Sequence, residues 1–235
     1  MKKNGIRGLL FAVAIAFSAP SHSALLFSDE FDADSASTAL NFNSLLHWDV
    51  LDGTIDYIRS GGFGISCLGG TGGCIDLLGS TGTAGMLVSK QTFHLSPGDV
   101  AFYTLSAQVS GNQRGAAPNE FTLGFVDAVT GDLVASGTSF NILAGDPFGP
   151  QNLGFTTGVA RDVRLFFRSA GTNNIGPILD RVRFEETLLA VPEPGVLALL
   201  GLGLAGFAVA RRRTHVAEAG AGAASIDGEQ ARHGG

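Results

Sequence analysis

Between Ala101 and Val109 every second residue is apolar. Ala101, Tyr103, Leu105, Ala107 and Val109 fall on one side of an extended chain, and Thr104, Ser106 and Gln108 on the other. A period of two belongs to a β-strand with one buried face and cannot form the apolar stripe of a helix. The pattern returns at Phe121, Leu123 and Phe125, and at Val163, Leu165 and Phe167, where Arg164 and Arg168 take the opposite side. Further strands are expected near 133–142, 153–157 and 178–186, which makes about nine or ten in all, separated by Gly, Pro, Asn and Asp. The 34 glycines suit short strands and turns. In a helix each would cost roughly 1 kcal/mol relative to Ala. The economical architecture is all-β: a two-sheet antiparallel sandwich, or jelly roll, over residues 25–190.

The two ends of the chain read differently from this body. Residues 1–24 begin with Lys2, Lys3 and Arg7, continue through an apolar core from Leu9 to Phe17, and end on Ser21, Ser23 and Ala24. That is the composition of a signal peptide for the Sec translocon, with signal peptidase cutting near Ser23 or Ala24. At the other end, Val191-Pro192-Glu193-Pro194-Gly195 is followed by an apolar run from Val196 to Ala210 and then by Arg211, Arg212 and Arg213. The two prolines hold the backbone extended and keep a helix from running through them. The apolar run is expected to form a single transmembrane helix, and three consecutive arginines should stop transfer and stay on the cytoplasmic side. Its 15 residues are fewer than the ~20 usually needed to span a bilayer, so it suits a transient handle better than a permanent anchor. Residues 214–235, rich in Ala and Gly, lack apolar periodicity and are expected to be disordered.

Charge narrows the partners. Residues 25–194 hold eight Lys and Arg against 18 Asp and Glu, a balance of −10. Nucleic acid, which is bound through clustered basic residues, is excluded on that ground. Divalent cations and neutral glycans fit better.

Several residues stand out along the body. Leu25-Leu26-Phe27 reads as a first strand that runs into Asp29, Glu30, Asp32 and Asp34. This acidic group is either a solvated loop or a calcium site, but it lacks the spacing and distal Glu of a helix-loop-helix site. Trp48–Leu51 and Thr54–Ile58, separated by Asp52-Gly53, read as a hairpin. Trp48 and Tyr57 within it are either core residues or a sugar-stacking face. Cys67 and Cys74 are the only cysteines, and export sends them to an oxidising compartment, so a disulfide is expected. Closing so short a loop is worth ~2 kcal/mol. In Ile178-Leu179-Asp180-Arg181-Val182-Arg183-Phe184, alternation puts Asp180 with Ile178, Val182 and Phe184 on the inner face. A buried carboxylate needs backbone N–H groups, an Arg or a bound cation such as calcium as its partner.

Catalytic motifs are missing. His47 and His94 are the two histidines of the body, and neither stands in a nucleophile elbow or a His-Glu-x-x-His pair. The segment Gly201-Leu202-Gly203-Leu204-Ala205-Gly206 has the Gly spacing of a dinucleotide site but no preceding strand, and lies inside the apolar run. Small residues that ease helix packing account for it better.

The C-terminal arrangement of Val191-Pro192-Glu193-Pro194, apolar run and arginine cluster resembles the PEP-CTERM sorting signal. The resemblance implies export, recognition through Pro192, Glu193 and Pro194 by an exosortase, and an association with exopolysaccharide and biofilm. The extension 214–235 departs from the family pattern, whose tails usually stop soon after the arginines. The body is similar to jelly-roll, galactose-binding-like ectodomains through several segments. These are His47–Val50, Gly53–Asp56, Asp76–Gly82, Tyr103–Ser106 with Gly111–Gly115, and Asn174–Asp180. Together these readings describe an exported, non-enzymatic protein, anchored briefly in the inner membrane and then released to the surface or matrix. The alternatives are a lectin-like carbohydrate-binding module and a secreted glycan hydrolase, the latter needing two carboxylates converging on a cleft.

Overall fold

A computed structural model describes residues 22–189, apart from 116, 138 and 172, together with 201–206. The chain divides into two units, one holding 21–190 and the other the two terminal segments. In the second unit only 201–206 are described, and they are helical. No helix among the described residues is long and apolar enough to cross a membrane. The expected signal peptide up to residue 21, the sorting residues Pro192, Glu193 and Pro194, the stop-transfer residues Arg211, Arg212 and Arg213, and the tail 214–235 lie outside the described residues.

The first unit is the expected antiparallel sandwich, with thirteen strands among the described residues: β1 His22–Asp29, β2 Trp48–Leu51, β3 Asp56–Arg59, β4 Gly73–Asp76, β5 Met86–Ser89, β6 Phe93–Leu95, β7 Ala101–Ser110, β8 Asn119–Asp127, β9 Leu133–Ser136, β10 Phe140–Ile142, β11 Gly149–Phe155, β12 Arg161–Ala170 and β13 Ile178–Leu188. One sheet runs β11-β7-β13-β4-β3, with β1 also paired to β13. The other runs β10-β8-β12-β5-β2, with β6 on β12 and β9 on β8. The alternation read in the sequence is the one that packs. Tyr103, Leu105, Val109 and Phe184 from the first sheet meet Phe121, Leu123, Phe125, Val163, Leu165 and Phe167 from the second in one core.

Aromatic rings fix how the sheets meet. Phe27 stands edge-on to Trp48 with centroids 5.6 Å apart, and Phe93 edge-on to Phe184 at 5.1 Å, each pair with one ring from each sheet. Such contacts add about 0.5–1.5 kcal/mol each beyond area burial, and they orient the sheets as well as dry the core.

The Asp52-Gly53 turn does not close a hairpin. β2 pairs with β5 in one sheet and β3 pairs with β4 in the other, so the turn carries the chain across the sandwich. Its glycine is required there. Gly53 has φ +145°, and a Cβ on it would lie 2.2 Å from the Ala84 carbonyl oxygen. The close approach to residues 83–84 takes the place of a hairpin ladder, with the Thr54 N–H donating to the Thr83 carbonyl at 3.1 Å.

β1 begins at His22, inside the segment expected to leave with the signal peptide. His22, Ser23 and Ala24 pair with Leu188, Thr187 and Glu186. A cut near Ser23 or Ala24 trims those rungs and leaves the ladder from Leu25 to Asp29 in place.

Candidate functional site

β7 and β13 run between the two ends of the sandwich, Ala101 facing Leu188 at one and Ser110 facing Ile178 at the other. The second end gathers most of the polar chemistry. There the disulfide Cys67–Cys74 closes a Gly-rich loop against the outer side of β13. The two cysteines form a small apolar cluster with Ile58, Ile65 and Ile178, and Phe148 packs against it.

Asp180 sits beneath this loop, and its face differs from the one alternation gives. The β13–β7 register shifts between Asp180 and Arg183, and Arg181 has φ +42°. This bulge turns the strand over. Leu179, Val182 and Phe184 point into the main core, whereas Ile178 joins the cysteine cluster on the other side, and the Asp180 carboxylate follows Ile178. The carboxylate accepts from the Leu68 N–H at 2.9 Å and from the Arg181 N–H at 2.7 Å. Burial nevertheless pushes it up to about 6, against the pull of those two donors. Asp180 and the two sulfurs lie close enough to share an ion. The sulfurs are tied to each other, however, which leaves one carboxylate where a calcium ion needs several oxygens.

A second buried carboxylate organises the neighbouring loops. Asp76, on β4, accepts from the Leu78 N–H at 3.0 Å, from the Gly176 N–H at 2.9 Å and from the Arg114 guanidinium. Gly176 must be glycine, because a Cβ there would stand 2.5 Å from the Asp76 oxygen. Asp56 is the register partner of Asp76 across the β3–β4 ladder and takes the Asn41 and Ser80 amides at 2.7 and 3.1 Å. Desolvation raises the Asp76 carboxyl to about 7, the Leu78 amide and Arg114 opposing the rise and nearby Asp56 adding to it. Arg114 also donates to the Asn174 carbonyl at 3.1 Å, and Asn119 to the Ile175 carbonyl at 3.0 Å. The segments Gly53–Asp56, Asp76–Gly82, Gly111–Gly115 and Asn174–Asp180 thus meet in one polar network that holds loops in place.

Beside this network lies a cleft of about 440 Å³, lined by Ser66, Gln113, Asp146, Phe148 and the Cys67 side of the disulfide loop. Gln113 clamps one wall. It accepts from the Ser66 N–H and donates to the Ser66 carbonyl, each at 2.9 Å, and donates to the Ser110 hydroxyl at 3.0 Å. The cleft mixes apolar surface from Phe148 and Pro147 with polar groups of Ser66, Ser110 and Asp146, the composition of a small-ligand site. Gln113 belongs to a segment visible in the sequence. Asp146 and Phe148 carried no sequence signal, since loop residues of ordinary type acquire a role only through the fold.

Trp48 and Tyr57 are core residues, and neither offers a face to a sugar. Both are completely buried. The Trp48 Nε1–H donates to Asp29 at 2.7 Å, and the Tyr57 hydroxyl lies 3.0 and 3.1 Å from the Phe31 and Ser35 carbonyls. The acidic N-terminal group is likewise stapled to the backbone. Asp29 takes the Phe31 N–H, Asp32 the Gly73 N–H and Asp34 the Leu46 N–H, while Glu30 pairs with Arg181 at 3.2 Å.

Many solved structures are similar to this chain, these three among them. One comprises the CBM22-1–GH10 modules of Clostridium thermocellum endo-1,4-β-D-xylanase 10B complexed with xylohexaose, at 18% identity over 68% of this chain and 28% of that one, TM-score 0.43. Another is the CBM22-1 xylan-binding domain from Paenibacillus barcinonensis Xyn10C, at 14% identity over 74% of this chain and 99% of that one, TM-score 0.43. The third is a cyclase from Fischerella sp. TAU, at 12% identity over 74% of this chain and 100% of that one, TM-score 0.50. The chain spans little more than a quarter of the xylanase's length. At 12% identity and a TM-score of 0.50, the likeness to the cyclase concerns the sandwich fold, which several functions share. No curated protein matches the chain. Residues 190–213 match the family model described as the PEP-CTERM protein-sorting motif, so the chain is a β-sandwich that carries this sorting signal directly after its last strand.

Proposed function

We propose that the protein is exported through the Sec translocon and held briefly in the inner membrane by its C-terminal segment. An exosortase that recognises Pro192, Glu193 and Pro194 then cuts it, leaving a non-enzymatic surface or matrix protein. The observation that carries this reading is the sorting-motif match over 190–213, which begins one residue beyond the described end of the sandwich. Intact mass of the mature protein from its native host tests it. Termini near Ala24 and near Pro192 are expected, and a mature chain still containing Arg211 to Gly235 overturns it.

A carbohydrate-binding role for the sandwich is the second reading, with extracellular polysaccharide of the biofilm matrix as ligand. The mixed polar and apolar cleft beside the disulfide loop supports it. Retention of the mature protein on the producer's polysaccharide, with and without calcium, is the measurement, and Phe148→Ala should abolish that retention. A hydrolase is the weaker alternative. Three clefts of the sandwich are each lined by one carboxylate, Asp146, Asp99 and Asp52 respectively, where glycoside hydrolysis needs a pair.

A further inference from the structure

The end of the sandwich opposite the disulfide is built from several separate segments. β1 enters there at His22 and β13 leaves at Leu188, the two residues paired with each other. Backbone hydrogen bonds join the loops around them. The Leu189 N–H donates to the Val100 carbonyl at 2.8 Å, the Gly98 N–H to Thr157 at 2.6 Å, and the Ala128 N–H to Asp162 at 3.0 Å. Each of these segments holds an apolar side chain out to solvent. Val129 is 91% exposed, Val159 56% and Leu188 45%, and Val100 and Leu189 are also exposed. Leu25 and Phe102 extend the apolar surface onto the adjoining strands β1 and β7. Single exposed hydrophobic residues are ordinary on a protein surface; one on every segment of the same end marks an interaction surface.

The chain itself says what lies opposite. It leaves this end at Leu189, and the apolar run begins at Val196. The seven steps between them reach at most ~25 Å even when fully extended. We propose that this end of the sandwich, through Val100, Val129, Val159, Leu188 and Leu189, seats on the surface of the lipid bilayer while the C-terminal segment is attached. The proposal rests on the reading that Val196 to Ala210 enters the membrane. Five partly exposed side chains make a weak contact, but a short tether holds them at high effective concentration, so a weak contact suffices. The same segments carry Asp99, Asp127 and Asp132, which oppose adsorption to an anionic surface without the tether. Cutting at the sorting motif then releases the body, and the cleft beside the disulfide loop, at the far end of β7 and β13, faces away from the membrane throughout.

The test uses the full chain reconstituted in vesicles of phosphatidylethanolamine and phosphatidylglycerol. A polarity-sensitive fluorophore is placed on Val129→Cys, Val159→Cys, Leu143→Cys or Leu199→Cys in turn, with quenching by brominated lipid as the readout. Leu143 is exposed at the disulfide end, and Leu199 lies in the apolar run. Labels at 129 and 159 should shift to the blue and lose emission to the brominated lipid together with the label at 199, while the label at 143 stays aqueous. If 199 reports hydrocarbon and 129 and 159 behave like 143, the seating is wrong and the membrane reading of the tail stands. A label at 199 that stays in water overturns both.

Discussion

Arg114 reaches from the β7–β8 connection to the carboxylate of Asp76, which is buried on β4, and so ties together segments 38 residues apart. Removing the guanidinium leaves a desolvated carboxylate facing Asp56. Arg114→Ala should therefore destabilise the sandwich by about 2 kcal/mol, less than a broken buried ion pair costs, because Arg114 is partly exposed and Asp76, raised to about 7, takes up a proton when the guanidinium is gone. Urea unfolding followed by Trp48 fluorescence measures it. Asp76→Asn introduced into Arg114→Ala should recover part of the loss at neutral pH, and full additivity of the two changes would show the pair to be uncoupled.

Asp76 and Asp180 also set a pH dependence. Their carboxyls are raised from the ordinary value of 3.8 to about 7 and about 6. Between those values the folded chain binds more protons than the unfolded one, so this contribution to stability is complete below about pH 4 and is lost as pH rises through 6 and 7. Thermal midpoints should fall across that window. The decline should flatten in Asp76→Asn and, at its lower end, in Asp180→Asn. A fall from pH 4 to 7 that persists unchanged in both variants would remove these groups as its cause.

Gly53 is a third point of leverage. Any side chain there must take up φ +145° and displace the Ala84 carbonyl, a backbone group with no freedom to yield. Gly53→Ala should cost at least ~2 kcal/mol, as strain and a steric clash combine. Asp52→Ala, on the same turn but exposed, should cost clearly less. Equal effects would mean that the crossing between sheets does not depend on that contact.

What could be read from the chain divides along a physical line. Strict alternation at Ala101–Val109, Phe121–Phe125 and Val163–Phe167 names strands and their inner faces, because a period of two survives any arrangement of the sheets. Sheet membership does not follow from it. Trp48–Leu51 and Thr54–Ile58 look like a hairpin from their turn chemistry, yet whether Asp52-Gly53 closes a ladder or crosses the sandwich depends on Ala84, about thirty residues away. The bulge at Asp180–Arg183 fails for a similar reason. A non-glycine residue at φ +42° leaves no mark in the sequence, and one such residue reverses the face of everything before it. The disulfide was legible from two lone cysteines behind an export signal. The cleft was not, since Asp146 and Phe148 become neighbours of Ser66 only through the loops that Gln113 and the disulfide hold.

That disulfide predicts its own measurable effect. Cys67→Ser with Cys74→Ser, or reduction of the parent, should lower stability by about 2 kcal/mol, as expected for a bridge across seven positions. The loss should centre on the Ser66–Gly70 wall of the cleft, where Leu68 is also held by Asp180. Faster amide exchange confined to that wall and its contacts is the signature, and collapse of the whole core on reduction would show that the bridge holds more than a loop.

Trimming at the other end gives the last prediction. If processing leaves Ala24 as the first residue, His22 and Ser23 are gone, and Leu188 and Thr187 lose their β1 partners but keep those on β7, Ala101 and Phe102. The cost is confined to strand ends where side chains are exposed, so the mature sandwich should melt close to a chain that retains residues 22 and 23. Amide exchange at Thr187 to Leu189 should still rise, because one of two flanking strands has been shortened there. This is the stretch from which the chain runs to Pro192, and a looser end gives a membrane-bound protease more slack to reach the motif. Unchanged protection at 187–189 after trimming would mean that β7 alone holds this end, and that access to Pro192 depends wholly on the residues beyond Leu189.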